Sequence, residues 1–443
     1  MAGSNISIEY RDVRDLKPYD KNARTHSKKQ IRQIADSIER FGFTNPILIT
    51  GKSGVMAGHG RLEAAKLLGI LHVPTVKLSH LSEAERRAYV LADNKLALNA
   101  GWDREILAIE LQALVDLDFD VELTGFSLAE VDFILDDASE SSVHGSDEPE
   151  DEVPLVTGEP VTLMGDLWEL GRHRVICGDA RSPQAFSSLL NGTTADLIFT
   201  DPPYNVPIDG HVCGLGRVRH REFAMGAGEM SEVAFTSFLA ETLGNATKSC
   251  RDGAIAFVCM DWRHMGELLT AGGQVFTELK NLCVWNKTNG GMGAFYRSKH
   301  ELVFAFKVGT APHTNSFGLG QTGRYRTNVW HYAGISSMSA SRGEELAMHP
   351  TVKPVALIAD AIRDCTRRGE IVLDCFGGSG STLIAAEKTG RAARLIEFDP
   401  LYCDTIVRRW EKLTGKHARL VANGLSFEDV AEMRSRAQLG EAA

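Results

Sequence analysis

Short apolar runs alternate with amphipathic stretches along most of this 443-residue chain, and the pattern changes about a third of the way in. Residues 8–13 (IEYRDV) read as a strand, and residues 30–43 (QIRQIADSIERFGF) carry apolar positions at helical spacing. Residues 45–50 (NPILIT) and 55–60 (VMAGHG) read as short strands, and 61–69 (RLEAAKLLG) as a second helix closed by Gly69. Residues 81–115 are helical in pattern apart from a break near 99–101, and 127–137 (SLAEVDFILDD) form one more short helix. Their apolar stripes predict helices that complete the N-terminal unit by packing on it.

From residue 161 onward strand and helix alternate. The runs RVICGD (174–179), ADLIFTDPPY (195–204), AIAFVCM (254–260), LCVWNK (282–287), HELVFAFK (300–307), IVLDCFGG (371–378) and AARLIEFD (392–399) predict strands. Helical stretches lie between several of them, at 234–246, 354–365 and 381–390. This alternation predicts an α/β fold, a mostly parallel sheet covered on both faces. In such sheets ligands sit beyond the carboxyl ends of the strands, at a topological switch point. The order implies a small α+β domain over 1–135, a linker over 136–160 and a larger α/β domain over 161–443.

Charge changes this picture at one place. The net charge of −10 argues against a nucleic-acid partner only until its distribution is considered. Residues 136–159 hold nine acids and no Lys or Arg, whereas residues 1–135 sum to −2 and residues 160–443 to +1. The acidic, apolar-poor stretch 136–152 predicts a flexible, extended linker, and the remainder is free to present basic surfaces locally. All eight cysteines lie from Cys177 onward without CxxC or Cys/His metal spacing, so reduced thiols are expected and no metal. No apolar run approaches membrane-spanning length and the first residues lack a signal-peptide core, so a cytoplasmic protein away from membranes is expected.

Two stretches carry candidate chemistry. The strand ending at Thr200 delivers Asp201, followed by Pro202, Pro203 and Tyr204. The prolines fix the loop and leave carbonyls free, so the Asp201 carboxylate and the Pro202 carbonyl can accept both hydrogens of an exocyclic amine while the Tyr204 ring offers a stacking face. The second is the strand-to-helix turn from Asp374 to Thr382, DCFGGSGST, whose glycines allow close approach of a ligand. About twenty residues on, the next strand ends at Glu397, where an acid in dinucleotide folds binds ribose hydroxyls. A ribose-bearing ligand follows, and the absence of a GxGxxG pattern argues against a nicotinamide dinucleotide.

Together, Asp201-Pro-Pro-Tyr204, then His349-Pro-Thr-Val-Lys-Pro354, then Phe376-Gly-Gly-Ser-Gly380 resemble the β group of S-adenosylmethionine-dependent DNA amino-methyltransferases over residues 161–425. The resemblance implies a Rossmann-like sheet with a circularly permuted motif order. It implies that Phe376, Gly378 and Gly380 line the methionine side of the cofactor, Glu397 holds its ribose, Lys353 and Pro354 flank it, Asp179 lies near its adenine and Thr382 also belongs to the cofactor site. The catalytic set is then Asp201, Pro202 and Tyr204, acting on a base flipped out of double-stranded DNA. Methylation at cytosine carbon 5 uses a thiolate, typically from a Pro-Cys pair, and no such dipeptide occurs in the chain. Asp in the first position of the DPPY loop favours adenine N6, since Ser is the usual cytosine-N4 variant; cytosine N4 stays open as the alternative.

DNA contacts are expected from Arg217, Arg219 and Arg221 in a glycine-bounded loop, from Arg297 and Lys299, and from Arg324, Arg326 and Arg342 in a target-recognition region placed within about 205–345. Gly58-His59-Gly60-Arg61, leading into Glu63, Ala64 and Ala65, resembles the ParB-like domain family, whose turn at this point binds nucleotide phosphates or DNA. The family's partition proteins usually carry Glu-Arg where this chain has His59-Gly60. Two options therefore stand for that domain, a live nucleotide site or a module kept for DNA docking or assembly. A homodimer is a further option. A second reading of the whole chain makes it a nucleotide-regulated DNA-binding or nuclease protein with a secondary methylase domain.

Overall fold

The computed structural model describes residues 7–20, 22–51, 53–98, 101–117, 119–127, 130–132, 134–135, 153, 158–206, 228–287, 295–316, 326–332 and 352–441. The chain divides into two compact units, residues 1–143 and 144–443.

In the first unit, strands β1 (Ile8–Asp12), β2 (Ile47–Ile49), β3 (Val55–Ala57) and β4 (His72–Lys77) form a sheet in the order β1-β4-β2-β3. Helix α1 (Lys28–Phe41) begins where the Ser27 side chain accepts the Gln30 N–H and stops at Gly42, whose φ of 80° ends the helix. Helix α2 (His59–Leu67) starts from Gly58 in the left-handed conformation. Ile47, Ile49, Val55, Leu62, Ala65 and Val73 form the core between sheet and helices. Helices α3 (Glu83–Leu98) and α4 (Arg104–Asp116) follow, and Leu111 of α4 packs with Val121 and Val131 in a separate small cluster.

Among its described residues the second unit has ten strands: β5 (Leu167–Leu170), β6 (His173–Cys177), β7 (Ala195–Thr200), β8 (Cys250–Met260), β9 (Glu278–Asn286), β10 (His300–Lys307), β11 (Val329–His331), β12 (Ile371–Asp374), β13 (Ala392–Glu397) and β14 (Arg419–Leu420). Their order is β11-β9-β10-β8-β7-β12-β13-β6-β5-β14. The centre, β8-β7-β12-β13-β6, is parallel throughout. β10 is antiparallel to both of its neighbours, and β5 to both of its own. The expected Rossmann-like sheet is therefore present.

Side chains along the central strands alternate between two buried layers. Leu197 and Phe199 of β7 face one core with α8 (Val355–Cys365), α9 (Ser381–Lys388) and α10 (Pro400–Thr414). Ile198 faces the other, with α5 (Pro183–Leu190), α6 (Glu232–Lys248) and α7 (Met265–Val275). The last described helix is α11 (Phe427–Glu441), whose Phe427 and Val430 belong to the first core. No helix among the described residues is long and apolar enough to cross a membrane.

One feature of this topology positions the site. From β7 the chain proceeds to β8 on one side, and from β12 to β13 on the other, while β7 and β12 lie side by side. The carboxyl ends of β7 and β12 thus flank the switch point. β10 runs opposite to β8, so its amino end arrives at the same edge.

Candidate active site at the β7–β12 switch point

Thr200, the last residue of β7, is wholly buried and joins the two strand ends. Its hydroxyl donates to Asp374 Oδ1 at 2.9 Å and accepts the Cys375 N–H at 3.2 Å. The other Asp374 oxygen accepts the Thr382 hydroxyl at 2.7 Å. Burial pushes the Asp374 carboxyl up to about 7, against these hydrogen bonds. Thr382, expected beside the cofactor, lines the cleft and also ties the start of α9 to β12 through this bond to Asp374.

The loop after Thr200 is held at both ends. Pro202 is buried, and Asn205 adopts φ of 53°, a left-handed conformation that Asn tolerates better than most residues. The Asn205 side chain donates to the Met230 carbonyl at 2.7 Å and accepts the Met230 N–H at 3.1 Å, as a backbone segment would. Between these anchors Tyr204 donates its hydroxyl to Asp201 Oδ1 at 2.6 Å, which fixes the ring.

Lys353 enters this loop from the segment before α8. Its side chain is only 4% exposed, and Nζ meets Asp201 Oδ2 at 2.6 Å, Glu301 Oε2 at 2.9 Å and the Tyr204 hydroxyl at 3.1 Å. Glu301 is also paired with Lys287 and lies 3.3 Å from the Tyr204 hydroxyl. The cluster therefore holds two ammonium groups against two carboxylates. Burial opposes the charge on Lys353, but Asp201 and Glu301 outweigh it and hold the lysine above its ordinary range. Burial also opposes the charge on Glu301, yet Lys353 and Lys287 hold that carboxyl down at about 2. Burial raises Asp201, which has a single ammonium partner to offset it. Glu301 is the carboxylate held ionised, and Asp201 is the one that titrates upward.

Next to this cluster lies the glycine turn. Gly378, at φ of 50°, donates its N–H to Glu397 Oε2 at 2.7 Å, and the Asp399 N–H meets the other oxygen at 2.8 Å. Burial nevertheless raises the Glu397 carboxyl to about 7. Gly380, at φ of 86°, starts α9, and a Cβ there would come within 3.0 Å of Ile406. Asp179 is bound by the backbone and guanidinium of Arg181, at 2.8 Å and 2.6 Å. Asp179, Asp201, Tyr204, Lys353, Phe376 and Glu397 all line one cleft.

The remaining sequence-predicted residues fall out differently. Pro354 is buried as the residue that precedes α8 and is not part of the cleft wall. Arg297 and Lys299 are exposed. Arg326 was expected on a DNA-facing surface, but it is turned inward: its guanidinium bonds Asp364 at 2.9 Å, Asp360 at 3.1 Å and the Tyr332 hydroxyl at 3.0 Å. Asp360 and Asp364 lie one turn apart on α8, and their paired charge draws the arginine in. Arg217, Arg219, Arg221, Arg324, Arg342 and His349 lie outside the described residues.

In the first unit, His59 accepts the Tyr19 N–H on Nε2 at 3.2 Å and Arg61 donates to the Asn45 carbonyl at 3.1 Å. A Cβ on Gly60 would lie 2.9 Å from Ile34 and 3.2 Å from His26, so Gly58-His59-Gly60-Arg61 is a close-packed turn. The sequence reading assigned no role to Glu301 or Lys287. The available signal was an acid opening an otherwise apolar strand, HELVFAFK, but its value depends on β10 being antiparallel to β8.

Comparison with known proteins bears on this geometry. Residues 195–408, from the first residue of β7 into α10, match the DNA methylase family. Residues 3–95 match the ParB N-terminal domain, and residues 105–163 the ParB-methyltransferase HTH domain. The chain is a DNA amino-methyltransferase of the N6/N4 family fused to a ParB N-terminal domain. The chain is 45% identical over 82 residues to the ParB-like nuclease domain-containing protein YnaK of Escherichia coli (strain K12), an overlap covering 18% of this chain and 94% of that one. It is 24% identical over 240 residues to the type II methyltransferase M2.MboI of Moraxella bovis, covering 52% of this chain and 85% of that one. The solved PvuII DNA methyltransferase (cytosine-N4-specific) is similar at 16% identity over 62% of this chain and 94% of that one, with a TM-score of 0.42. The HTH match gives α4 and the residues after it a family assignment where their sequence pattern alone gave only a packing role. Members of the methyltransferase family draw their methyl group from S-adenosylmethionine.

Proposed function

We propose that this methyltransferase modifies the exocyclic N6 amine of an adenine flipped out of double-stranded DNA. The observation that carries the reading is Asp201. It stands at the switch point, part exposed to the cleft, with each oxygen already engaged by one donor, Tyr204 on Oδ1 and Lys353 on Oδ2. Both oxygens keep a lone pair for an incoming amine. The Asp201 carboxylate and the Pro202 carbonyl take the two hydrogens of that amine and draw it toward tetrahedral geometry. Asp201 then faces the positive charge that develops on nitrogen, in a site where water is largely displaced. Tyr204, its ring fixed by the hydroxyl bond, supplies the stacking face. Alignment counts for more here than basicity.

The cleft suits the family's donor. Its lining among the described residues includes the acids Asp179, Asp201, Asp374, Glu397 and Asp399 and a single cation, Lys353, which two carboxylates already engage. Such a wall disfavours a phosphate-bearing dinucleotide and fits a ribose-bearing ligand with cationic groups. Bound S-adenosylmethionine supplies an electrophilic methyl on a sulfonium. Glu397 holds the ribose, Asp179 lies toward the adenine, and Phe376 and Gly378 form the wall on the methionine side, while Gly380 shapes the turn behind them against Ile406.

A pH dependence follows. Glu397 is raised to about 7, so below that pH it is mostly protonated and a poorer acceptor for ribose hydroxyls. Affinity for S-adenosylmethionine is expected to rise about tenfold between pH 6 and pH 8 in calorimetric titrations. Glu397→Gln is expected to bind weakly at both values with the dependence lost. An intact protein with pH-independent affinity would remove Glu397 from the ribose.

The base is tested by nucleoside mass spectrometry on DNA from a methylase-deficient host expressing the intact protein or Asp201→Ala. N6-methyladenine is expected with the intact protein only. N4-methylcytosine would retain the site and overturn the base.

A further inference from the structure

The hairpin that brings Glu301 to the site carries two aromatic residues that nothing in the reaction above employs. Phe295 is 88% exposed and Tyr296 82%, the two most exposed aromatic side chains among the described residues. Their rings meet edge to face at 4.7 Å, so each keeps an open face. Single exposed apolar residues are ordinary. Two adjacent large rings, both almost bare, mark a contact surface.

Their position gives the contact its identity. β9 and β10 pair up to Asn286 and His300, and the Lys287 N–H donates to the Lys299 carbonyl at 2.9 Å, so the connecting loop leaves from the reactive edge of the sheet. Tyr296 stands five residues before Glu301, within about 17 Å of it even if the chain is fully extended. Exposed Arg297 and Lys299 follow the rings directly. Rings beside cations suit nucleic acid, with the faces taking bases and the cations taking phosphates. An acidic or apolar protein surface would use one of these features and waste the other.

The geometry points to Phe295 and Tyr296 as the residues that occupy the stacking surfaces vacated when the target base leaves the duplex. This rests on the proposed reading of the Asp201 site, because only a base that must reach a recessed amine acceptor has to leave the stack. Removing a base from the duplex costs stacking on both sides, and an aromatic side chain inserted at the step recovers part of it. The rings sit at the edge where that gap opens, and Arg297 and Lys299 hold the backbone beside it.

The test uses the full-length chain in three forms: intact, Phe295→Ala/Tyr296→Ala, and Phe295→Tyr/Tyr296→Phe, which keeps both rings. Each is titrated by fluorescence anisotropy against two duplexes of one sequence bound by the intact protein, one fully paired and one with an abasic site opposite a single adenine. Single-turnover methyl transfer is followed on the same duplexes. The double-alanine form is expected to lose about tenfold in affinity and transfer on the paired duplex and less than twofold on the abasic one, where the stack is already broken. The ring-keeping form is expected to stay within twofold of intact on both. Equal losses on the two duplexes, or no loss on either, would overturn the proposal. If the intact protein transfers no methyl to either duplex, the reading of the Asp201 site falls, and the affinity comparison still decides the role of the rings.

Discussion

Asp201→Ala is expected to lower methyl transfer by at least about 10³-fold while S-adenosylmethionine affinity changes less than threefold. In the proposed reading the carboxylate is the negative group that faces the amine, and it meets the developing positive charge in a partly desolvated site. Glu397, the proposed ribose acceptor, has its own backbone partners, Gly378 and Asp399. Removing Asp201 also strips Lys353 of its 2.6 Å partner but leaves it the Glu301 carboxylate at 2.9 Å, so the lysine is not left unpaired. Transfer with tritiated cofactor and calorimetry on the same preparation separate the two quantities. If binding failed and residual transfer persisted, the roles of Asp201 and Glu397 would be the reverse of those assigned.

The largest effect on stability is expected at Lys353. Lys353→Ala leaves Asp201 without its ammonium partner and Glu301 with Lys287 alone, in a site where the lysine side chain is 4% exposed. Breaking a buried ion pair from one side costs about 3–5 kcal/mol, which for a unit of this size lowers Tm by about 5–10 °C. The pH dependence tests the cause. Glu301 is lowered from 4.5 to about 2 in the folded protein, so its contribution is present above pH 4.5 and lost as pH falls toward 2. The gap between intact and variant is therefore expected to be widest above pH 5 and to narrow in acid. Adding Asp201→Asn to Lys353→Met should recover part of the loss, because the carboxylate left unpaired is then removed. A Tm gap that stays constant from pH 8 down to about pH 2.5 would show that Lys353 acts by packing and not by charge.

The aromatic pair and the lysine cluster bring out a common feature of the site. Its parts come from opposite directions in the sheet: Asp201 from the carboxyl end of a parallel strand, Glu301 from the amino end of an antiparallel one, and Lys353 from the residues that lead into α8. No single stretch of chain contains it. The same arrangement accounts for Arg326, whose charge looked available for phosphate until α8 placed Asp360 and Asp364 against it.

What the sequence determined by itself were the features written in contiguous residues. Apolar runs of six to eight residues marked the central strands because a strand buried on both faces needs apolar side chains throughout. Pro202 and Pro203 dictated a stiff loop, and the glycines of 377–380 a turn with left-handed positions at Gly378 and Gly380 that glycine adopts without strain, since backbone φ is a local property. Strands too short or too mixed to carry a pattern were not legible, among them β5, β11 and the two-residue β14, because their stability comes from pairing with neighbours and not from their own composition. Only the tertiary structure decided that Glu301 and Lys287 join Asp201 and Lys353, that Thr382 supports Asp374, and that Arg326 is consumed internally. Electrostatic partnership depends on distance in space. The chain fixes that distance only once strand order and direction have been chosen.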